Sequence, residues 1–310
     1  MDHALFDRRA HPPGMRLSEW RAPDGWLHRR MDWPAEPGAQ RGSLLFAGGR
    51  GDFVEKYLEA FAYWQRRGWS VTSFDWRGQG RSRGQGTRGD VHRFDTLTQD
   101  FAALVEEWRA ANPGPHVVVG HSMGAHMLLR LLVEHPQQLA AAVLVAPMIE
   151  VNSAPLPTWA ARLIAGTASR IGLARRPLWG APLARAPVGS KRQQALTNCP
   201  DRYRDEAFWW EWDEGFAPSP PTFGWLRAAY RSARLFTPRR LARIGLPVLL
   251  VGVERDRLVS AAAIRRTAAA LPRAQLAMFG DCAHEILRER DAPRLAALAR
   301  IDAFLDEHAA

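Results

Sequence analysis

Short runs of apolar residues alternate along this 310-residue chain with stretches whose apolar positions recur every three or four residues. Residues 43–47, 69–75, 116–119, 140–145, 247–251 and 274–279 are short runs dominated by apolar or β-branched residues. Runs of that length suit strands buried on both faces. Between them lie helical patterns. Phe53, Tyr57, Leu58, Phe61 and Trp64 share one helix face, as do Phe101, Leu104, Val105 and Trp108 in residues 94–111. Residues 123–134 and 294–305 read as two more helices. Near the start, residues 17–21 and 26–31 flank Ala22-Pro23-Asp24-Gly25, a turn signal, and predict an antiparallel hairpin. The order predicts an α/β fold, with a mostly parallel central sheet and helices on both faces.

The pattern breaks between residues 150 and 238. That stretch is rich in proline, holds six of the 13 tryptophans and shows no clear strand. It reads as an inserted helical cap on a core formed by residues 15–149 and 239–310.

No run of about 18 apolar residues exists to span a bilayer. The charged N-terminal stretch lacks the apolar segment of a secretory signal. Cys199 and Cys282 are the two cysteines. They cannot build a disulfide framework and show no zinc-type spacing, so a reducing compartment, the cytoplasm, is expected. The formal net charge is +10, and Lys56 and Lys191 are the only lysines among 42 basic residues.

One short motif carries chemistry. Gly120-His121-Ser122-Met123-Gly124 fits G-x-S-x-G, follows a strand directly and opens a helix. A serine on so tight a turn sits in strained backbone, with its hydroxyl above the sheet and at the positive end of the helix. The Met123 N–H then faces a developing oxyanion. Such a hydroxyl needs a base. His284, just after the strand 274–279, lies at the same sheet edge as Ser122. His121 adjoins the serine and points elsewhere, while His126 and His135 are expected to face the sheet or solvent. Asp256, beyond the strand 247–251, can reach back to orient His284, with Glu254 as its rival. The chain order Ser122, Asp256, His284 is that of α/β-hydrolases. A second oxyanion donor is expected after the strand 43–47, from the Arg50 N–H, with Gly49 as the alternative and as a substrate-contacting residue. A metal reading of His284-Glu285 fails, because HExxH would need histidine at Arg288.

These segments together resemble the α/β-hydrolase superfamily, and within it the monoacylglycerol lipase and bacterial lysophospholipase branch, the serine aminopeptidase S33-like group. Phe74-Asp75-Trp76-Arg77-Gly78-Gln79-Gly80-Arg81-Ser82 is similar to that group's D-x-R-G-x-G-x-S loop. Thr87-Arg88-Gly89-Asp90-Val91-His92-Arg93-Phe94 resembles its R-G-x-V-x-x-F segment. Thr222-Phe223-Gly224-Trp225 looks like a T-x-G-W motif of the cap, and His284-Glu285-Ile286-Leu287 with Glu289 and Asp291 is similar to the bacterial lysophospholipase pattern around its histidine. Many members carry His-Gly where this chain has Gly48-Gly49; the lysophospholipases show Gly-Arg, which favours Arg50. The resemblance implies hydrolysis of a carboxylic ester, often of a single-chain lipid, through an acyl-enzyme and with neither metal nor cofactor. Rival readings are a short-chain esterase, a peptidase of the same group, and a hydrolase-like fold that only binds ligand.

Within the cap, Leu156, Trp159, Ala160, Leu163, Ile164, Thr167, Ala168 and Ile171 fall on one helical stripe. Packing on the core is its ordinary reading; an acyl-chain wall or a membrane-touching surface is the other. Phe208-Trp209-Trp210-Glu211-Trp212 is an aromatic cluster. Trp209, Trp212 and Trp225 are the candidate substrate contacts there. From residue 151 to 200 the charges are Arg162, Arg170, Arg175, Arg176, Arg185, Lys191 and Arg192, with no acid. That segment beside an apolar stripe suits transient docking on an anionic lipid surface. The arginine- and glycine-rich run 77–89 follows a strand directly and reads as an active-site-side loop, not as a nucleic-acid segment.

Overall fold

The computed structural model describes residues 6–84, 91–135, 137–178 and 186–309. Residues 87–90 of the R-G-x-V-like segment, Arg185 and the end of the arginine-rich run lie outside them. Eight strands form one sheet in the order β1-β2-β4-β3-β5-β6-β7-β8. β1 (Arg16–Arg21) and β2 (Leu27–Trp33) are the expected hairpin, and β2 also pairs antiparallel with β4 (Trp69–Phe74). All other pairs are parallel: β3 (Gly42–Ala47), β5 (His116–His121), β6 (Ala141–Val145), β7 (Val248–Val253) and β8 (Ala274–Phe279). α1 (Leu58–Gln65) and α10 (Asp291–His308) cover one face; α2 (Phe94–Ala111), α3 (Met123–Glu134) and α9 (Ala261–Ala270) cover the other. Successive strand side chains serve opposite faces. Leu44 and Phe46 pack under α1 and α10, while Leu45 and Ala47 pack towards α2 and α3. Both sides are dry, so the central strands are apolar without alternation.

Between β6 and β7 the chain runs through α4 (Thr158–Arg170), α5 (Lys191–Leu196), α6 (Pro200–Trp212), α7 (Phe223–Ala233) and α8 (Pro238–Leu241). Among the described residues this stretch holds no named strand. α4 departs from its ordinary reading. Its small residues Ala161, Ala165 and Ala168 are the buried ones, with Ala161 and Ala165 packed on Tyr230 of α7. Leu156, Trp159, Leu163, Ile164 and Ile171 are exposed, Trp159 to 70%. Alanine lets two helices approach closely, and the bulky stripe is thereby turned outward.

A tight backbone packing constraint lies where β5 passes into α3. A Cβ on Gly120 would stand 2.6 Å from the Cα of Ala125, and one on Gly124 would stand 2.1 Å from the Ala47 carbonyl oxygen and 2.4 Å from that of Gly48. The obstructing atoms are backbone, so no rotamer change relieves them. Gly124→Ala is therefore expected to destabilise the fold by about 2 kcal/mol or more, as overpacking of a filled site does. Urea denaturation measures this; an unchanged midpoint would show that α3 does not pack on β3 as described.

Candidate active site

Ser122 stands between β5 and α3 with φ +52° and ψ −112°, a positive-φ backbone that a non-glycine residue rarely adopts. The turn is held from both sides. The Ser122 N–H donates to the Val145 carbonyl at 2.9 Å, and the Ser122 carbonyl accepts from His126 N–H at 3.0 Å and Met148 N–H at 3.1 Å. Met123 follows as the first residue of α3, where helix geometry directs the N–H outward rather than into the ladder.

His284 and Asp256 come to this serine from two other strand ends. His284 Nε2 lies 2.8 Å from Ser122 Oγ, and His284 Nδ1 lies 2.7 Å from Asp256 Oδ2. Both the imidazole and the carboxylate are buried. The other Asp256 oxygen accepts the N–H groups of Leu258 at 2.7 Å and Val259 at 3.0 Å, so the carboxylate cannot swing away. Burial opposes charge on both groups, and their mutual attraction outweighs it. The Asp256 pKa is lowered, and the His284 pKa is raised above the ordinary 6.5. Glu254, the rival acid, is on the surface and pairs with Arg265.

The loop after β3 lies against the serine. A Cβ on Gly49 would stand 3.0 Å from Ser122 Cβ. The Gly49 N–H is committed to Asp52 Oδ2 at 2.5 Å, which rules it out as the alternative oxyanion donor. The Gly51 N–H donates to the Gln79 side chain, and Trp76 Nε1 holds the Gly48 carbonyl at 2.7 Å. Arg50 sits between these anchored neighbours, with its guanidinium on the Ser219 carbonyl at 2.6 Å and over the Trp225 ring at 5.1 Å. The D-x-R-G-x-G-x-S-like loop thus acts as a support: buried Asp75 accepts the Val54 N–H at 2.9 Å and Arg29 Nε at 2.8 Å.

Of the aromatic candidates, Trp225 is buried against Phe94 and the Arg50 guanidinium, next to the β3 loop. Trp209 and Trp212 are placed differently. Trp209 is buried, stacks on His11 and donates Nε1 to the Arg8 carbonyl at 3.1 Å; Trp212 packs on Phe216 beneath the Arg81 guanidinium. Their contacts secure α6 to the core and the N-terminal segment. The Trp209 ring is taken up by packing, whereas Trp212 stays 49% exposed. His126 also differs from expectation. It faces neither sheet nor solvent but is buried between α3 and α7, with its ring nitrogens 2.7 Å from the Met148 carbonyl and 2.7 Å from Ser232 Oγ. Burial drives its pKa down to about 4.

Motif reading did not find the ion cluster beneath the site. Lys56 Nζ lies 2.7 Å from Asp52, 2.6 Å from Glu285 and 3.1 Å from Glu206, all buried. His121 does point away from the hydroxyl. Its Nδ1 lies 2.8 Å from Tyr57 Oη and 3.2 Å from Asp52, and its Nε2 lies 3.4 Å from the His284 carbonyl. The one sequence signal was the rarity of lysine in an arginine-dominated chain.

The arrangement can activate a hydroxyl, pass its proton to a leaving group and stabilise the imidazolium formed on the way. Comparison with known proteins agrees with the fold. Lysophospholipase L2 of Escherichia coli strain K12 is 29% identical over 288 residues, covering 86% of this chain and 80% of that protein. Probable lysophospholipase L2 of Haemophilus influenzae is 24% identical over 280 residues, covering 86% and 85%. A soluble variant of the Saccharomyces cerevisiae monoglyceride lipase, solved with a substrate analogue, superposes with TM-score 0.75 at 18% identity, covering 98% of this chain and 99% of that one. The family described as serine aminopeptidase, S33 matches residues 38–291. With that match over most of its length, on an α/β-hydrolase sheet with a serine at the strand–helix turn, the chain belongs to the serine aminopeptidase S33 family.

Proposed function

We propose that the protein is a serine ester hydrolase that cleaves single-chain lipid esters, monoacylglycerol or lysophospholipid, through an acyl-enzyme. The hydrogen-bonded line from Asp256 through His284 to Ser122 carries the catalytic part of this reading. Ser122 Oγ attacks the ester carbonyl while His284 Nε2 takes its proton. The N–H groups of Met123 and Arg50 receive the negative charge on the carbonyl oxygen. The tetrahedral species collapses, the C–O bond to the alcohol breaks, and His284 returns the proton to the leaving oxygen. Water, deprotonated by His284, then attacks the acyl-enzyme and releases the fatty acid. Asp256 fixes the imidazole tautomer and balances its charge.

The lipid part rests on two supports. Relatives matched over 80% and 85% of their length are named lysophospholipase L2 and probable lysophospholipase L2. The exposed face of α4 offers Trp159, Leu163 and Ile164, continued by Leu156 before it and Ile171 after it, next to exposed Arg170, Arg175 and Arg176. A contiguous apolar surface rimmed by cations suits reversible docking on an anionic membrane. Among the described residues no helix is long and apolar enough to cross a bilayer. Docking at the cytoplasmic membrane surface would bring the enzyme to a substrate concentrated there.

Three outcomes test this reading. A fluorophosphonate probe is expected to label the wild type and not Ser122→Ala, and p-nitrophenyl decanoate is expected to turn over faster than the acetate. A preference for acetate, or for an aminoacyl arylamide, would replace the lipid reading with the esterase or peptidase one.

The second outcome concerns pH. Catalysis needs neutral His284, so kcat/KM should fall as pH drops through its raised pKa, an acid limb above 6.5. In Asp256→Asn burial remains and the chief compensating carboxylate is gone, so that limb should move to lower pH. kcat should fall by roughly 10³–10⁴-fold, as when a triad acid is neutralised elsewhere. An unmoved limb would remove Asp256 from the electrostatic role.

Third, the chain should co-sediment with phosphatidylglycerol vesicles at low salt and less so at high salt. Trp159→Ser/Leu163→Ser should weaken this while changing stability by no more than about 0.5 kcal/mol per site, the usual range for surface positions. Equal sedimentation of the variant would rule out α4 as the docking face.

A further inference from the structure

We propose that Lys56 is a positioning residue for the reaction: its ammonium holds the β3 loop, the His284 segment and insertion helix α6 at one point beneath the site. The inference rests on the reading of Ser122 and His284 given above and adds to it a residue that touches neither substrate nor the reacting atoms.

An ammonium has three donors and no acceptor. Lys56 donates to Asp52 at 2.7 Å and to Glu285 at 2.6 Å and pairs with Glu206 at 3.1 Å, three carboxylates from three separate pieces of chain. Its side chain is only 3% exposed. Asp52 passes the constraint upward, because its second oxygen takes the Gly49 N–H at 2.5 Å and Tyr57 Oη at 3.0 Å. Gly49 lies against Ser122, so Asp52 sets the height of the loop that carries the Arg50 N–H. Glu285 adjoins His284, and Arg288 grips its other oxygen. The same segment is strapped to α5 by His284 N–H to the Ala195 carbonyl at 3.3 Å and Glu285 N–H to the Leu196 carbonyl at 2.7 Å. Glu206 carries the link into α6 and is matched by Arg192 at 2.8 and 3.0 Å. One cation thus sets the distance between the loop that would bind the oxyanion and the histidine that would move the proton.

The cluster is electrically balanced. Lys56, Arg192 and Arg288 face Asp52, Glu206 and Glu285. Burial would push Lys56 towards neutrality, and the three carboxylates outweigh it. A buried ion cluster of this kind adds little net stability over apolar residues of equal volume, so a purely stabilising role would not call for it. The residue type fits too. A compact ammonium can sit at the meeting point of three carboxylates, whereas a planar guanidinium presents a fork suited to one or two. In a chain that otherwise uses arginine almost everywhere, lysine stands here.

The test separates geometry from stability. Lys56→Met leaves one buried carboxylate unmatched. Lys56→Met/Glu206→Gln restores the net charge balance of the cluster, two guanidinium groups against two carboxylates, but leaves the tether absent. The readouts are Tm, kcat per fluorophosphonate-titrated serine, and KM on p-nitrophenyl decanoate. We expect Lys56→Met to lower Tm, and the double variant to recover most of that loss. In both, kcat per titrated serine should stay at least tenfold below wild type, with KM within about threefold. A kcat that recovers together with Tm, or stays within twofold of wild type, would make Lys56 a structural residue only. If Lys56→Met does not fold, the double variant alone decides. A wild type that neither labels nor turns over the ester would instead overturn the reading of Ser122, and this inference with it.

Discussion

The close approach of α3 to β3 is the contact on which the site depends. Gly124 lies so near the Ala47 and Gly48 carbonyls that no side chain fits between them. That approach leaves the chain no room for an ordinary strand-to-helix turn, and Ser122 takes φ +52° instead. The strain is held by three backbone hydrogen bonds on the one residue. It also brings the β3 loop within van der Waals reach of Ser122. Serine placement and the approach of the β3 loop are therefore two consequences of one steric fact.

The histidine and its acid are placed by different physics. They come from loops beyond β7 and β8, where no sheet hydrogen bond fixes them. Their positions rest on buried polar contacts instead. Asp256 is pinned by two backbone N–H groups. Glu289, fully buried, accepts the N–H groups of Ala283 at 2.9 Å, Asn198 at 2.7 Å and Arg290 at 2.9 Å, closing the His284 loop on itself and on the insertion. This explains why the lysophospholipase-like pattern around His284 extends to Glu289: the distant carboxylate shapes the loop. Unpaired, such a group in low dielectric would be costly; satisfied threefold, it acts as a clamp.

What could be read from sequence follows the same division. Strands buried on both faces, the helix-to-strand alternation and the G-x-S-x-G turn are local patterns, and local sterics realise them. The hairpin, the parallel core and the meeting of Ser122, His284 and Asp256 were legible for that reason. The Asp52–Lys56–Glu206–Glu285 cluster was not. Its members are spread over more than two hundred positions and each is unremarkable in its own segment; only the tertiary fold makes them neighbours. Trp209 and Trp212 show the converse. An aromatic cluster signals packing with equal force whether it faces a ligand or the protein's own N-terminal segment, and here His11 and Arg8 occupy it.

Helix α4 shows a more specific limit of periodicity. Its apolar residues cover more than one face, since Ala161, Ala165 and Ala168 run beside Trp159, Leu163, Ile164 and Ile171. Hydrophobic content alone assigns the bulky set to the interior, because that set would bury more area. Shape decides otherwise. Tyr230 on α7 comes close enough to demand alanine opposite it, and the large side chains are then turned outward. Folding gains little from five large apolar residues left exposed, and together they form a surface feature of the insertion. The two halves of the insertion thus differ in kind. α5 and α6 are fastened to the core by Glu285, Lys56, Arg202 and the His284 loop. α4 is attached through α7, where Ala161 and Ala165 pack on Tyr230 with Val151 and Leu226 beside them, and its bulky side chains face away. The fastened half lies against the His284 segment, and the outward half presents an exposed apolar face.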